Sequence, residues 1–362
     1  MVDAVSVNVH EAAAKTALER QINRLARLAD RGISRSTVMV HADCRPALDA
    51  LRNLLLDPDK ASVLAALANE AAKESRFVNV SEILKISPFR YPGGKTWFVP
   101  EARRWLSRLQ RRPSLFVEPF AGGASVGLAV AYEDLARHVV LCEKDADVAA
   151  VWKVALGAAK DVHALTRRIL AFDCTRANVE ASLLMNADTN GDPIDTAFRT
   201  ILRNRVSRGG NMAPGAGLIR AGDGGRGIAA RWYPETISKR VEAVHALRDR
   251  ITFIEGDALD VIAAHSADSN AAFFLDPPYT SGPDSAGHRL YEHHRVSHPA
   301  LFEAMAALAG PLLATYDDVA TVRALARRHG LVTSRVTMRS SHHRTRHELV
   351  ITNGIGSVMA ES

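Results

Sequence analysis

The stretch that most constrains this chain is Ala271-Ala-Phe-Phe-Leu-Asp-Pro-Pro-Tyr279. Five apolar residues bounded by turn chemistry are the pattern of a short, fully buried strand. That strand must stop at Asp276, because Pro277 and Pro278 cannot donate to a ladder and force an extended turn. A carboxylate, a rigid backbone carbonyl and an aromatic ring are thereby displayed together at the carboxyl end of a central strand. In open α/β sheets, ligands bind at that end.

The same rhythm recurs on either side. Residues 115–117 read as a strand, followed by Glu118, Phe120, a glycine turn at Gly122 and Gly123, and a helix opening near residue 124. The glycines let backbone approach a ligand, and the helix start favours its carboxylate or phosphate. The turn is not a GxGxxG, which favours an adenosine-bearing cofactor other than a dinucleotide. Residues 139–143 form a second strand ending in Glu143, where such folds hydrogen-bond ribose hydroxyls, while Asp145 and Asp147 suit the start of the next helix. Strands at 251–255 (with Asp257 just beyond) and 311–316 alternate with helices at 299–308 and 318–329. Two final strands, 331–339 and 348–353, are joined by a short connection and so form an antiparallel hairpin at the sheet edge. The expected fold is α/β, doubly wound.

Two regions break this rhythm. Residues 1–84 are Ala-rich with helical periodicity, which fits a small bundle or a basic arm. From about 160 to 249 the chain is helical around Arg203-Asn-Arg-Val-Ser-Arg-Gly-Gly-Asn211, then enters a loop at 213–227 with six glycines, Arg220 and Arg226. A long loop of glycine and arginine suits a segment that orders on nucleic acid. The charge agrees: the net charge is +6, and only nine of the 46 cationic residues are lysine. Arginine forks match phosphates and guanine edges. Cys44, Cys142 and Cys174 have no paired spacing, so neither a disulfide framework nor a zinc site is indicated. The His342-His-Arg-Thr-Arg-His347 loop lacks acids and cysteines at ligand spacing and reads as phosphate-facing rather than metal-binding. No apolar run is long enough for a membrane span and no signal peptide opens the chain, so a cytoplasmic protein is expected.

Four stretches in this order resemble the Dam-type DNA adenine-N6 methyltransferases: Tyr91-Pro-Gly-Gly-Lys95, Phe116-Val-Glu-Pro-Phe-Ala-Gly-Gly123, Asp276-Pro-Pro-Tyr279 and Glu348-Leu-Val-Ile-Thr-Asn353. The resemblance covers roughly residues 86–354. It implies a Rossmann-like methyltransferase sheet in two parts, 85–160 and 250–354. A target-recognition insert at 161–249 would lie between them, with a helical N-terminal extension at 1–84 and a tail at 355–362. The implied cofactor is S-adenosyl-L-methionine without a metal, contacted by Tyr91, Lys95, Glu118, Phe120, Gly122, Gly123, Glu143, Asp257 and Asp276. Where the family often has Asp, this chain has Glu143.

The catalytic residues implied are Asp276, Pro277 and Tyr279. The exocyclic nitrogen of adenine is a poor nucleophile. The Asp276 carboxylate and Pro277 carbonyl would accept its two hydrogens and favour a pyramidal nitrogen, and Tyr279 would stack on the flipped base. Asn204, Arg205, Arg208, Arg220 and Arg226 fall where the family reads duplex DNA. The resemblance leaves open a cognate restriction endonuclease and fits a monomer or weak dimer. Competing readings are cytosine-N4 or RNA-adenine methylation, glutamine methylation (which Asp276 opposes), and an inactive DNA-binding homologue.

Overall fold

The computed structural model describes residues 85–90, 94–184, 191–212, 216–220, 227–278, 296–339 and 345–355, all within one compact unit, Asn79–Ser362. The expected N-terminal helices, Tyr91, Tyr279 and Arg226 lie outside the described residues.

A single turn of 3-10 helix, Lys95–Phe98, runs into α1 (Val99–Arg108). The first α/β unit follows as β1 (Leu115–Glu118), α2 (Ser125–Tyr132) and β2 (His138–Glu143). Five helices then intervene: α3 (Ala146–Ala155), α4 (Ala159–Ala171), α5 (Arg176–Leu184), α6 (Pro193–Val206) and α7 (Pro234–His245). The sheet resumes with β3 (Ile251–Glu255), α8 (Ala258–His265), β4 (Ala271–Leu275), α9 (His298–Ala306), β5 (Leu312–Asp317), α10 (Ala320–Arg328), β6 (Val332–Arg339) and β7 (Thr345–Thr352).

The seven strands lie in the order β3-β2-β1-β4-β5-β7-β6. All neighbours pair in parallel except β7, which is antiparallel to both β5 and β6. This is the doubly wound sheet expected, and the switch in strand order falls between β1 and β4, where such sheets bind ligands. The terminal hairpin is present with one refinement. β7 inserts between β5 and β6 instead of lying outermost, and it starts at Thr345, earlier than the sequence suggests.

Every residue of β4 has 0% of its surface exposed. Its alternating side chains serve both faces of the sheet. Phe273 and Leu275 join the cluster with Val261, Ile262, Leu301, Phe302 and Met305, beneath α8 and α9. Phe274 stacks on Phe98 with ring centroids 5.6 Å apart, which anchors the turn that carries Lys95. Register fixes what lies beside Asp276. Leu275 pairs with Ala314, so the next step sets Asp276 opposite Thr315. Because β7 is antiparallel, its early residue Glu348, opposite Asp317, comes to the same carboxyl end of the sheet.

The intervening helices form their own layer. α6 packs on α3, and α7 on α4. Phe172, Phe198 and Trp232 form an edge-to-face trio with centroids 5.1 to 6.2 Å apart. Arg203 of α6 reaches Asp147 of α3 at 3.3 Å. The described part of the glycine loop returns as backbone pairing, Arg208 N–H to Gly217 O at 3.0 Å and Ile219 N–H to Val206 O at 2.8 Å. Among the described residues, no helix is long and apolar enough to cross a membrane.

Candidate active site

The carboxyl ends of β1, β2 and β4 open into a cavity of about 650 Å³. Its lining includes all the described residues expected to hold a cofactor: Lys95, Glu118, Phe120, Gly122, Gly123, Glu143, Asp257 and Asp276. Pro278 also lines it, whereas Pro277 is buried. Chain distance had hidden this convergence, since Lys95 and Asp276 are 181 residues apart.

Asp276 is held through one oxygen by two side chains. Lys95 Nζ lies 2.9 Å from its Oδ1, and Thr315 Oγ1 donates to the same oxygen at 2.7 Å. Oδ2 carries neither contact, which orients the carboxylate with one oxygen tied back and the other toward the cavity. Lys95 itself is 6% exposed and also approaches Glu348 Oε2 at 3.4 Å. Burial pulls the Lys95 ammonium down, but the charges of Asp276 and Glu348 outweigh it and hold the group above its ordinary value. Lys95 is therefore a fixed cation at neutral pH. Below it, burial and then the charge of Asp276 push the Tyr316 phenol up.

Glu118, at the end of β1, turns inward. Its Oε2 accepts from Gly127 N–H in the first turns of α2 at 2.6 Å, and only 3% of the residue is exposed. Burial holds its carboxyl well above the usual range; the Gly127 N–H opposes this, and the nearby Asp276 charge adds to it. A Cβ at position 127 would collide with Glu118 Oε2 and lie 2.6 Å from Leu141 Cδ2, so α2 sits this close to β1 and β2 only with glycine there. The glycine turn reverses through Gly122 (φ 46°) and Ala124 (φ 48°), and Trp152 Nε1–H donates to Gly122 O at 3.0 Å.

Glu143 behaves differently from the expectation of a free ribose acceptor. Its Oε2 accepts from Gly122 N–H at 2.9 Å, and its Oε1 from Lys144 and Asp145 N–H at 2.8 and 2.9 Å. The extra methylene of Glu over Asp lets the carboxylate fold back onto its own turn. A carboxylate offers about four lone-pair positions, so one remains, on Oε2. Asp257 caps α8 through Leu259 N–H at 2.9 Å and meets Lys144 Nζ at 2.8 Å, which holds its carboxyl below the usual range. Asp145 caps α3 as its position suggested, accepting from Asp147 and Val148 N–H.

Two of the residues expected to bind DNA are buried. Asn204 is 0% exposed; its Oδ1 accepts from Arg90 N–H at 2.7 Å, and its Nδ2 donates to Arg90 O at 2.9 Å and Gly210 O at 3.1 Å. Arg205 is 4% exposed and donates to Pro88 O. Both tie α6 to the segment before Lys95, because the last turn of α6 faces inward, a fact that only tertiary packing decides. Arg208 and Arg220 are exposed. The sequence gives no role to Thr315, to Glu348 as a partner of Lys95, or to Arg240 of the cavity lining. Thr315 could have been found from the register of adjacent strands; the others had no local signal. Among the described residues no group of histidine, cysteine and acidic side chains converges on a metal position.

No family model matches the chain, and no curated protein does. Solved structures do. An rRNA methyltransferase from Streptomyces viridochromogenes aligns at 14% identity over 77% of this chain and 94% of its own, with a TM-score of 0.35. An inferred class I S-adenosylmethionine-dependent methyltransferase from Listeria monocytogenes aligns at 9% over 78% and 65%, with a TM-score of 0.34. A precorrin-6y C5,15-methyltransferase from Geobacter metallireducens aligns at 10% over 68% and 84%, at 0.28. Scores this low transfer no substrate and no residue role. The Rossmann-like assignment rests on the strand order itself.

Proposed function

We propose that this protein methylates the N6 amine of adenine in DNA, with S-adenosylmethionine as donor. The observation that carries the reading is the arrangement at Asp276. A carboxylate is locked through Oδ1 by Lys95 and Thr315, and the glycine turn and Glu143 line the same cavity. The residues suit the donor. A volume of about 650 Å³ is within the range for a ligand of this size. The free position on Glu143 Oε2 can accept a ribose hydroxyl, and the Asp276 carboxylate complements a cationic sulfonium.

S-adenosylmethionine supplies an electrophilic methyl group, so no covalent enzyme intermediate is needed. Asp276 Oδ2 accepts one N6 hydrogen, and the Pro277 carbonyl, fixed by two successive prolines, accepts the other. With both hydrogens held, the nitrogen lone pair is aimed out of the ring plane. Because Lys95 and Thr315 hold Oδ1 beforehand, little reorganisation remains for the transition state. With S-adenosylmethionine bound, the site would pass its methyl group to N6, and the surplus amine proton would leave through Asp276 Oδ2 to water. Tyr279 stacks on the extruded base and offsets an unstacking cost of a few kcal/mol.

The test is transfer of labelled methyl to unmethylated DNA, read base by base with modification-sensitive sequencing. Asp276→Asn is expected to lower kcat by about 100-fold or more with S-adenosylhomocysteine affinity kept. Thr315→Val should lower kcat about tenfold with KM little changed, and Thr315→Ser should restore it. Transfer to RNA alone would defeat the DNA assignment, and full activity in Asp276→Asn would defeat the mechanism.

A further inference from the structure

The cavity has a second pole that the chemistry above does not use. Arg205, at the end of α6, lines it while 96% buried, and its buried Nε has no hydrogen-bond partner. Its one hydrogen bond among the described residues is to the neutral Pro88 carbonyl. Arg240 of α7 lines the same wall and donates Nη1–H to Ser87 O at 3.2 Å. Among the described residues, neither arginine meets a carboxylate. Burial first, then the like charges of Arg240 and Arg90, push the Arg205 guanidinium down to about 10. Arginine is almost never buried without a paired anion, and two carbonyl dipoles do not neutralise two full charges. Like charges gathered in the wall of a cavity are an arrangement that a bound anion relieves, with charge-assisted hydrogen bonds from the guanidinium forks.

We propose that Arg205 and Arg240 form an oxyanion subsite inside the cavity that takes a phosphate flanking the target adenosine. A phosphate of the substrate and the carboxylate of the cofactor share this chemistry. The phosphate is favoured because the backbone N–H groups at the start of α2 that Glu118 and Glu143 do not take suit the cofactor's carboxylate. The subsite also gives Arg205 a different task from reading an outer DNA face. Its wall lies in the cavity that holds Asp276, so it positions the nucleotide being modified rather than the surrounding sequence. The identity of the anion rests on the adenine-methylating reading, but its binding can be measured without turnover.

The experiment is calorimetric titration of the full-length protein with deoxyadenosine 5′-monophosphate, deoxyadenosine and S-adenosylhomocysteine, for the wild type, Arg240→Gln and Arg205→Lys. Thermal denaturation confirms that each variant is folded. Arg240 is the milder site, being only half-buried. The wild type is expected to bind the monophosphate about tenfold or more tightly than the nucleoside. Arg240→Gln should remove most of that preference, Arg205→Lys should weaken it by loss of the fork, and S-adenosylhomocysteine affinity should not change. If the variants weaken S-adenosylhomocysteine and spare the monophosphate, the anion is the cofactor's carboxylate and the phosphate assignment is overturned. If neither ligand responds, the arginines only strap residues 87 and 88 and the subsite is refuted. A wild type that prefers the monophosphate yet transfers no methyl group to DNA would sink the methylation reading and leave the subsite standing.

Discussion

Glu118 is a carboxyl group kept where a charge is costly. It lines the cavity while almost fully buried and accepts one backbone N–H, and burial is the main reason its pKa stands well above 4.5. The folded state therefore holds a proton that the unfolded chain releases near pH 4.5. Stability falls with rising pH wherever the native state binds more protons, so the Glu118 contribution is lost as pH rises from about 4.5 through the raised native value. Replacing it with Gln, which keeps an acceptor for Gly127 N–H, removes the titration. Urea midpoints of wild type and Glu118→Gln measured upward from pH 4.5 should diverge, with the wild type losing ground to the variant. Parallel curves would mean that Glu118 is ionised in the fold. The neutral form also has a use: a second full negative charge beside Asp276 would compete for Lys95, which Asp276 and Glu348 already share.

At the scale of elements, the tie between α6 and residues 85–90 matters most. Asn204 closes a two-way amide bridge on Arg90 and holds Gly210 O as well, and a Cβ at Gly210 would run into the Arg90 carbonyl. Asn204→Ala leaves buried backbone groups without partners, at about 1–3 kcal/mol each. The expected result is a destabilisation of about 2–4 kcal/mol by denaturant titration. Methyl transfer should be lost at temperatures where the variant remains folded, because residues 85–90 lead into Lys95. A variant as stable and active as wild type would show the bridge to be incidental. This region also shows where sequence reading stops. Residues 271–276 were legible because five apolar residues before two prolines allow few alternatives. The glycine turn and Glu143 were legible because each ends a strand. The burial of Asn204 and Arg205 was not legible, because polar residues on a helix give no sign of which side faces inward. Thr315 and Glu348 acquire their roles only through strand register and the insertion of β7, and neither is a local property of the chain.

Over the whole molecule, charges of both signs meet at the cavity. The cavity is lined by Glu143, Asp257 and Asp276 and also by Arg205 and Arg240, within a chain of net charge +6. The proposed cationic cofactor and polyanionic substrate should then depend on salt in different degree. Each phosphate neutralised releases condensed counterions and contributes a slope of about −0.9 to log affinity against log salt for duplex DNA. A small cofactor releases almost none. If duplex DNA is the substrate, its affinity should fall with a slope steeper than about −2 between 50 and 200 mM salt, as expected of several arginine contacts. S-adenosylhomocysteine affinity should stay nearly flat over the same range. Arg208→Ala and Arg220→Ala, both at exposed positions, should each reduce the DNA slope by about 1 if their forks hold phosphates, with the cofactor unaffected. Fluorescence anisotropy on a labelled duplex, repeated with single-stranded RNA of the same sequence, decides the matter. A shallow slope with DNA beside a steep one with RNA would move the substrate to RNA while leaving the Asp276 chemistry unchanged. Flat slopes with both would remove nucleic acid altogether, and with it the reason for an arginine-lined wall.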